Sequence, residues 1–150
     1  MKRASWWGVL AALALVVAIM VVNRGGRPGT ETGSGPAALA WERDLPTALA
    51  RAGNEKKLVM VDFYTDWCGW CRQLDRTTLS DSNVQRALGG VVSVRLNAET
   101  DGREVARRFN VSGYPTILFL NASGDEVGRI PGYLEASPFL AEIQQIIAKV

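Results

Sequence analysis

The sequence predicts an α/β domain with a central mixed β-sheet flanked by helices on both faces, preceded by one N-terminal transmembrane helix. Three observations predict it. From residue 44 onward, short β-rich apolar runs alternate with segments of helical periodicity. The last two of these runs are separated only by "ASGD" (122–125), which reads as a hairpin turn, so the sheet cannot be wholly parallel. Ahead of all this, no charged residue occurs from Ala4 to Asn23. Twenty such residues span roughly 30 Å as a helix, the thickness of a bilayer core.

The N-terminal segment, 1–23, is therefore read as an uncleaved signal anchor. Trp6 and Trp7 stand at one end of the apolar run, where indoles favour the headgroup region. A cleaved signal peptide is the rival reading, since Lys2 and Arg3 fit a basic leader. However, the run is long for that role and no small-x-small cleavage site follows it. Lys2 and Arg3 on one side nearly balance Arg24 and Arg27 on the other, so flanking charge gives little guidance on orientation. The expected arrangement has the domain outside. Residues 24–40 are rich in Gly, Pro, Ser and Thr and lack apolar periodicity, as a flexible linker does. A linker of this kind reaches roughly 20–25 Å end to end.

The globular part is 41–150. The whole chain has 17 basic and 15 acidic residues and no histidine. With Lys2, Arg3, Arg24, Arg27 and Glu31 set aside, 13 basic and 14 acidic residues remain, a net charge of −1. There is no basic stripe of the kind that binds nucleic acid.

Within this part, "DLPTALARA" (44–52) sets Leu45, Ala48, Leu49 and Ala52 on one helical face. "KLVMVDFY" (57–64) has the length and composition of a buried strand. Cys71, Leu74 and Thr78 then form a helical stripe, and "SDSNVQRALGG" (80–90) reads as a short helix closed by glycines. "VVSVRLN" (91–97) is a second strand, and "DGREVARRFN" (101–110) a helix turning Val105, Ala106 and Phe109 inward. "PTILFLN" (115–121) and "EVGRIPG" (126–132) are the hairpin strands. Ser137 is placed as the cap of a final helix with Pro138 at its first position. Phe139, Leu140, Ile143, Ile146 and Ile147 mark its buried face.

The only two cysteines lie in "DWCGWCRQ" (66–73), at the junction of a strand and a helix. A mononuclear zinc site needs about four Cys or His ligands, which this chain could supply only with carboxylates or a second chain. Covalent haem needs a histidine directly after the second cysteine, and here that residue is Arg72. A Cu(I) site with two thiolates stays open. A purely structural bridge would close a very short loop and remove little denatured-state entropy. The reactive reading has positive support. Cys68 stands before the first helical turn, where backbone N–H groups and the helix dipole favour the thiolate. Cys71 lies one turn on, placed to attack a mixed disulfide formed by Cys68.

"VDFYTDWCGWCRQ" (61–73) resembles the active-site segment of the thioredoxin superfamily, and the similarity extends through most of 57–147. The resemblance implies the thioredoxin fold, no cofactor beyond a redox-active Cys68–Cys71 disulfide, and protein thiols or disulfides as partners. It makes Cys68 the attacking nucleophile and Cys71 the resolving thiol. It makes Asp62, six residues before Cys68, a buried acid that assists proton transfer. An aspartate amid "LVMV" and "FY" would indeed be desolvated, which raises its pKa. "GYPT" (113–116) matches the family's cis-proline loop, so Pro115 and Tyr114 are expected opposite the dithiol, where an extended substrate peptide docks. Gly132 matches a glycine that leaves room for substrate, and Arg95 a basic residue near the buried acid. Trp67, Gly69 and Trp70 surround the cysteines and are expected to contact partners.

The pair encloses Gly-Trp rather than the Gly-Pro of thioredoxins or the X-His of oxidising relatives, and no proline follows in the helix after Cys71. In these respects the segment is similar to the thioredoxin-like domains of membrane thiol:disulfide interchange reductases and related bacterial secreted thioredoxins. A reductant is the expected direction, because a histidine that would stabilise the thiolate is missing. The opposite tasks, disulfide oxidation or isomerisation, and a redox-linked assembly module or Cu(I) carrier, are the alternatives. A bacterial inner membrane, with the domain facing the periplasm and served by an upstream redox partner, is the implied setting.

Overall fold

The structure is a computed structural model that describes residues 39–150. The membrane anchor expected over 1–23, and all but the last two residues of the linker expected over 24–40, lie outside the described residues. Among the described residues no helix is long and apolar enough to cross a membrane.

The element order is β1 (Trp41–Glu42), α1 (Leu45–Glu55), β2 (Leu58–Tyr64), α2 (Gly69–Gln73), a π-helical segment (Leu74–Thr78), α3 (Ser82–Leu88), β3 (Val91–Asn97), α4 (Arg103–Arg108), β4 (Thr116–Leu120), β5 (Glu126–Pro131) and α5 (Ala136–Ile147). The five strands form one sheet in the order β1-β3-β2-β4-β5. β1 and β2 run parallel to β3, whereas β4 is antiparallel to both β2 and β5. The mixed sheet expected from the alternation and the hairpin is therefore present.

Side chains alternate across a strand, so β2, β3 and β4 contribute to two cores, whereas β1 and β5 contribute to one. On one face Val59, Val61 and Phe63 of β2 join Val92, Val94 and Leu96 of β3 and Leu118 and Leu120 of β4, under Ala48 and Ala52 of α1 and Ala106 of α4. On the other, Met60, Ile117, Phe119 and Ile130 pack against Leu74, Val84, Leu88, Phe139, Ile143 and Ile146. Helices therefore cover both faces. The second core is packed closely where α5 crosses β5: a Cβ on Gly128 would lie 2.6 Å from Ile146 Cγ1.

Local chemistry sets the helix ends. Asp44 caps α1 by accepting from the Thr47 N–H at 2.8 Å, and Asp81 caps α3 through the N–H groups of Asn83 and Val84. The last helix departs from expectation. It starts at Ala136 behind Glu135, which makes no side-chain cap bond, so Ser137 is not its cap and Pro138 is its third residue rather than its first. A proline is tolerated there because the N–H groups of the first turn have no intrahelical partner. Ile147, expected on the buried face, is exposed as the last residue of α5.

Two features have no counterpart in the expected elements. β1 is only two residues long, too short to show a period. The helix after the cysteines widens into a π turn, closed by the Leu79 N–H donating to the Leu74 carbonyl at 2.9 Å. Thr78 anchors that turn by donating to the Leu134 carbonyl.

Candidate active site

Strand β2 runs into the site. Its odd-numbered residues face the first core, and Asp62, on the even face, is carried beneath α2 and the π segment. Beyond Tyr64 the chain turns through Thr65, Asp66 and Trp67. The Cys68 N–H donates to the Thr65 carbonyl, and Arg72 donates back to the Asp66 carbonyl at 3.0 Å. The β3–α4 loop holds the turn from the other side. Asn97 Nδ2 donates to Asp66, and Trp67 Nε1 donates to Glu99 at 3.0 Å. None of Asp66, Asn97 or Glu99 stood out in the sequence, since each acts by a contact some thirty residues away.

Cys68 is the N-cap of α2, and Cys71 is in its first turn. The two are joined as a disulfide with Cα atoms 5.3 Å apart, and the Cys71 N–H points at Cys68 Sγ from 3.0 Å. A sulfur that accepts a backbone N–H is better stabilised as a thiolate than as a thiol. Both cysteines are 3% exposed, whereas the flanking Trp67 and Trp70 are 65% and 63% exposed. Trp67 meets the Tyr114 ring edge-on, with centroids 6.1 Å apart. Trp70 stacks on Tyr133, with centroids 5.4 Å apart. Tyr133 in turn hydrogen-bonds Thr77 through its hydroxyl at 3.1 Å. It was not anticipated, although it directly follows Gly132.

The peptide before Pro115 is cis. The Pro115 carbonyl accepts from the Gly132 N–H at 2.8 Å, which ties the loop before β4 to the end of β5. Gly132 has φ +78°, a conformation side chains rarely adopt, and a Cβ there would meet nothing within 4 Å. Trp70, Tyr114, Gly132 and Tyr133 line an open depression of about 330 Å³. The residues expected to meet substrate, Trp70, Tyr114 and Gly132, are thus brought together, with Pro115 and Trp67 beside them. Gly69 opens α2, and a Cβ there would come no closer than 3.9 Å to Arg72.

Asp62 is fully buried, and neither carboxylate oxygen has a hydrogen-bond partner. In register it lies opposite Arg95 on β3 and Ile117 on β4. Arg95 Nη2 is 3.1 Å from Asp62 Oδ2, within ion-pair reach but not aligned as a hydrogen bond. The same nitrogen donates to both oxygens of Asp75 at 2.8 Å. Burial pushes the Asp62 carboxyl up to about 7; the Arg95 charge opposes this and the Asp75 charge adds to it. Burial opposes the charge of Arg95, yet Asp62 and Asp75 more than offset it and hold its guanidinium above its ordinary value. A second cavity, of about 230 Å³, runs between Cys71, Asp66, Asp75 and Arg95. It gives Cys71 and the Arg95–Asp75 pair a common outlet to solvent.

Among the described residues no group of three or more Cys, Asp or Glu side chains is clustered as a metal ion would require. A further cavity, of about 420 Å³, opens at the opposite end of the sheet beside Leu58, Val91 and Ile147, away from both cysteines.

This arrangement, a cysteine pair at a strand-to-helix junction near a buried acid, with a cis-proline loop packed against the flanking tryptophan, has a counterpart among known proteins. The family model for a thioredoxin-like domain matches residues 45–147. The chain belongs to the thioredoxin-like family. It is 33% identical over 158 aligned residues to the thiol:disulfide interchange protein DsbD of Yersinia enterocolitica, a match that takes in 97% of this chain and 27% of that protein. The chain thus spans about a quarter of the length of the curated relatives it matches. A solution structure of a thioredoxin from Thermus thermophilus superposes with a TM-score of 0.68 at 37% identity, over 75% of this chain and 89% of that one. The C-terminal domain of DsbD from Neisseria meningitidis, in its reduced form, shares the fold at a TM-score of 0.59 and 22% identity, over 67% of this chain and 91% of that one. With its two cysteines joined in this fold, the thioredoxin-like domain is a thiol–disulfide oxidoreductase.

Proposed function

We propose that this chain is a membrane-tethered reductant of protein disulfides, acting at the outer face of a bacterial inner membrane. In the reduced protein, Cys68 as thiolate attacks one sulfur of a substrate disulfide and expels the other as a thiolate. Cys71 then attacks Cys68 Sγ, which restores the Cys68–Cys71 disulfide and releases the second substrate thiol. The substrate gains two electrons and the domain loses two. For the second step Cys71 must give up a proton, and Asp62 accepts it. A carboxyl titrating at about 7 is matched to that task near neutral pH. The substrate chain lies along Tyr114 and Pro115, with Trp67, Gly69, Trp70 and Gly132 around the sulfur being exchanged.

The observation that carries the reading is the paired cysteines above an acid with no hydrogen-bond partner, next to an outlet shared by Cys71 and Arg95. The reducing direction is supported by the Gly-Trp between the cysteines, which offers no histidine to stabilise the Cys68 thiolate. The tether is supported by the charge-free run from Ala4 to Asn23 and the linker composition of 24–40. Regeneration requires an upstream dithiol that reduces the Cys68–Cys71 bond.

The test is the equilibrium reduction potential of the full chain in detergent, titrated in graded dithiothreitol buffers and followed by tryptophan fluorescence. Trp67 and Trp70 flank the pair and report its state. A potential near −270 mV or below is expected for a reductant. A value near −120 mV would overturn the reducing assignment and make the protein a disulfide-forming catalyst.

A further inference from the structure

The guanidinium of Arg95 is held in an unusual way. One nitrogen faces Asp62 and Asp75, but Nε is buried and has no acceptor. What closes on the rest of the group is aromatic. The Arg95 carbon Cζ lies 4.8 Å from the centroid of Tyr64 and 5.4 Å from that of Trp41. Tyr64 comes from β2, and Trp41 from β1, the two-residue strand that adds to the sheet edge beyond β3. Trp41 pairs with Ser93, two residues before Arg95, so both side chains lie on the face that carries Asp62.

We propose that Trp41 is a positioning residue of the active site: strand β1, through Trp41, holds the Arg95 guanidinium at a fixed place beside Asp62. The inference rests on the reading of Asp62 as the proton acceptor for Cys71. Two aromatic faces restrain a planar cation without supplying an acceptor. Asp75 takes the hydrogen bonds, so the cation stands next to the buried acid without bonding it. Asp62 is left poised between the protonated form that burial favours and the ionised form that Arg95 favours. Without the ring of Trp41, Arg95 swings out towards solvent with Asp75, and Asp62 loses the cation beside it.

Several charged or titratable groups surround the pair. β3 supplies Arg95, the π segment supplies Asp75, and β2 supplies Tyr64 beside Asp62 itself. Asp66 and Arg72 line the same cavity as Arg95 and Asp75, and Arg72 donates to the Asp66 carbonyl. β4 presents Ile117, and α2 brings Cys71, which does not titrate in the disulfide. The one acid of β1, Glu42, is paired with Arg51.

The experiment is a carboxyl carbon-13 NMR titration of Asp62 in the full chain, in detergent, with the disulfide formed. Aspartate is labelled, and Asp62→Asn identifies the signal. In Trp41→Leu the Asp62 midpoint is expected to rise by on the order of one pH unit, the effect of losing a nearby opposite charge. Trp41→Tyr keeps a ring face and should restore the midpoint to the wild-type value. Asp75→Asn should move it the other way, since it removes an anion and frees Arg95 to bond Asp62. A folded Trp41→Leu with an unmoved midpoint overturns the proposal, as does a tyrosine variant that shifts as far as leucine. Should Trp41→Leu not fold, Tyr64→Leu reads the same restraint from the other face: a rise supports it and no change overturns it. Because the titration needs no turnover, its outcome is separate from the test of redox direction.

Discussion

The two faces of strand β2 are built from adjacent residues and do opposite things. On the odd face Val59, Val61 and Phe63 are wholly buried against other apolar side chains. On the even face Met60 is equally buried, but the next residue along is Asp62, an acid with no hydrogen bond. One face lowers the free energy of the fold through apolar burial. The other spends part of that free energy on a group that water would have solvated far better. The contrast teaches that the strand is stable enough on one side to hold an acid without a hydrogen-bond partner on the other.

The comparison can be broken at four places. The largest effect is expected from the cysteines that the even face serves. Cys68→Ala should abolish exchange altogether, and Cys71→Ser should trap mixed disulfides with protein partners, visible on non-reducing gels. The fold of both variants should persist by far-UV circular dichroism.

Next comes the odd face. Phe63→Ala should cost about 3–5 kcal/mol in chemical denaturation through lost burial and a cavity. The reduction potential of the molecules that stay folded should be unchanged. A large shift in potential would show that the two faces are not separable.

Asp62→Asn should act in opposite senses on stability and rate. The folded-state pKa of Asp62 is raised, from an unfolded value near 3.8 to about 7. Below the lower value both states are protonated and stability is at its full level. As pH rises from about 4 to 7 only the unfolded chain ionises, so stability falls; above 7 it levels off. The total loss is on the order of 4 kcal/mol. The asparagine variant should lack this decline in denaturation midpoints measured across that range. Its resolving step should meanwhile slow by about 10²-fold in stopped-flow measurements at neutral pH.

The smallest effect is expected at Gly132, which serves the even-face site from a distance. Gly132→Ala should cost about 1 kcal/mol through its positive φ. Its KM for a protein disulfide should rise more than its kcat falls.

Much of the site was legible because it is local. Two cysteines at the spacing of one helical turn, an acid six residues earlier in an apolar strand, and a proline opening a later strand are patterns of neighbouring residues. The structure brings all of them to one end of the sheet. What was not legible depends on pairing across the fold. Nothing near Trp41 marks it as part of the site, because β1 acquires its place only by aligning with Ser93 and Val94 of β3. Asp75 is four residues after Cys71, a spacing that suggests one side of a helix, but its grip on Arg95 depends on a strand twenty residues away. The cap expected at Ser137 is a different case, a local boundary set a little too late. The serine–proline pattern fits a helix start, yet the helix begins earlier, behind Glu135.

The sequence by itself determined the order of the strands and helices apart from β1 and the π segment, the cysteine pair and the burial of Asp62, since these follow from hydrophobic period and residue chemistry over a few positions. Only the tertiary structure decided how the charge of Arg95 is shared between Asp62 and Asp75, and which aromatic rings hold it. That outcome depends on strand register, where a slip of one residue would turn Asp62 and Arg95 to the opposite face. Register is fixed by the whole set of buried contacts acting together, which no short stretch of sequence contains.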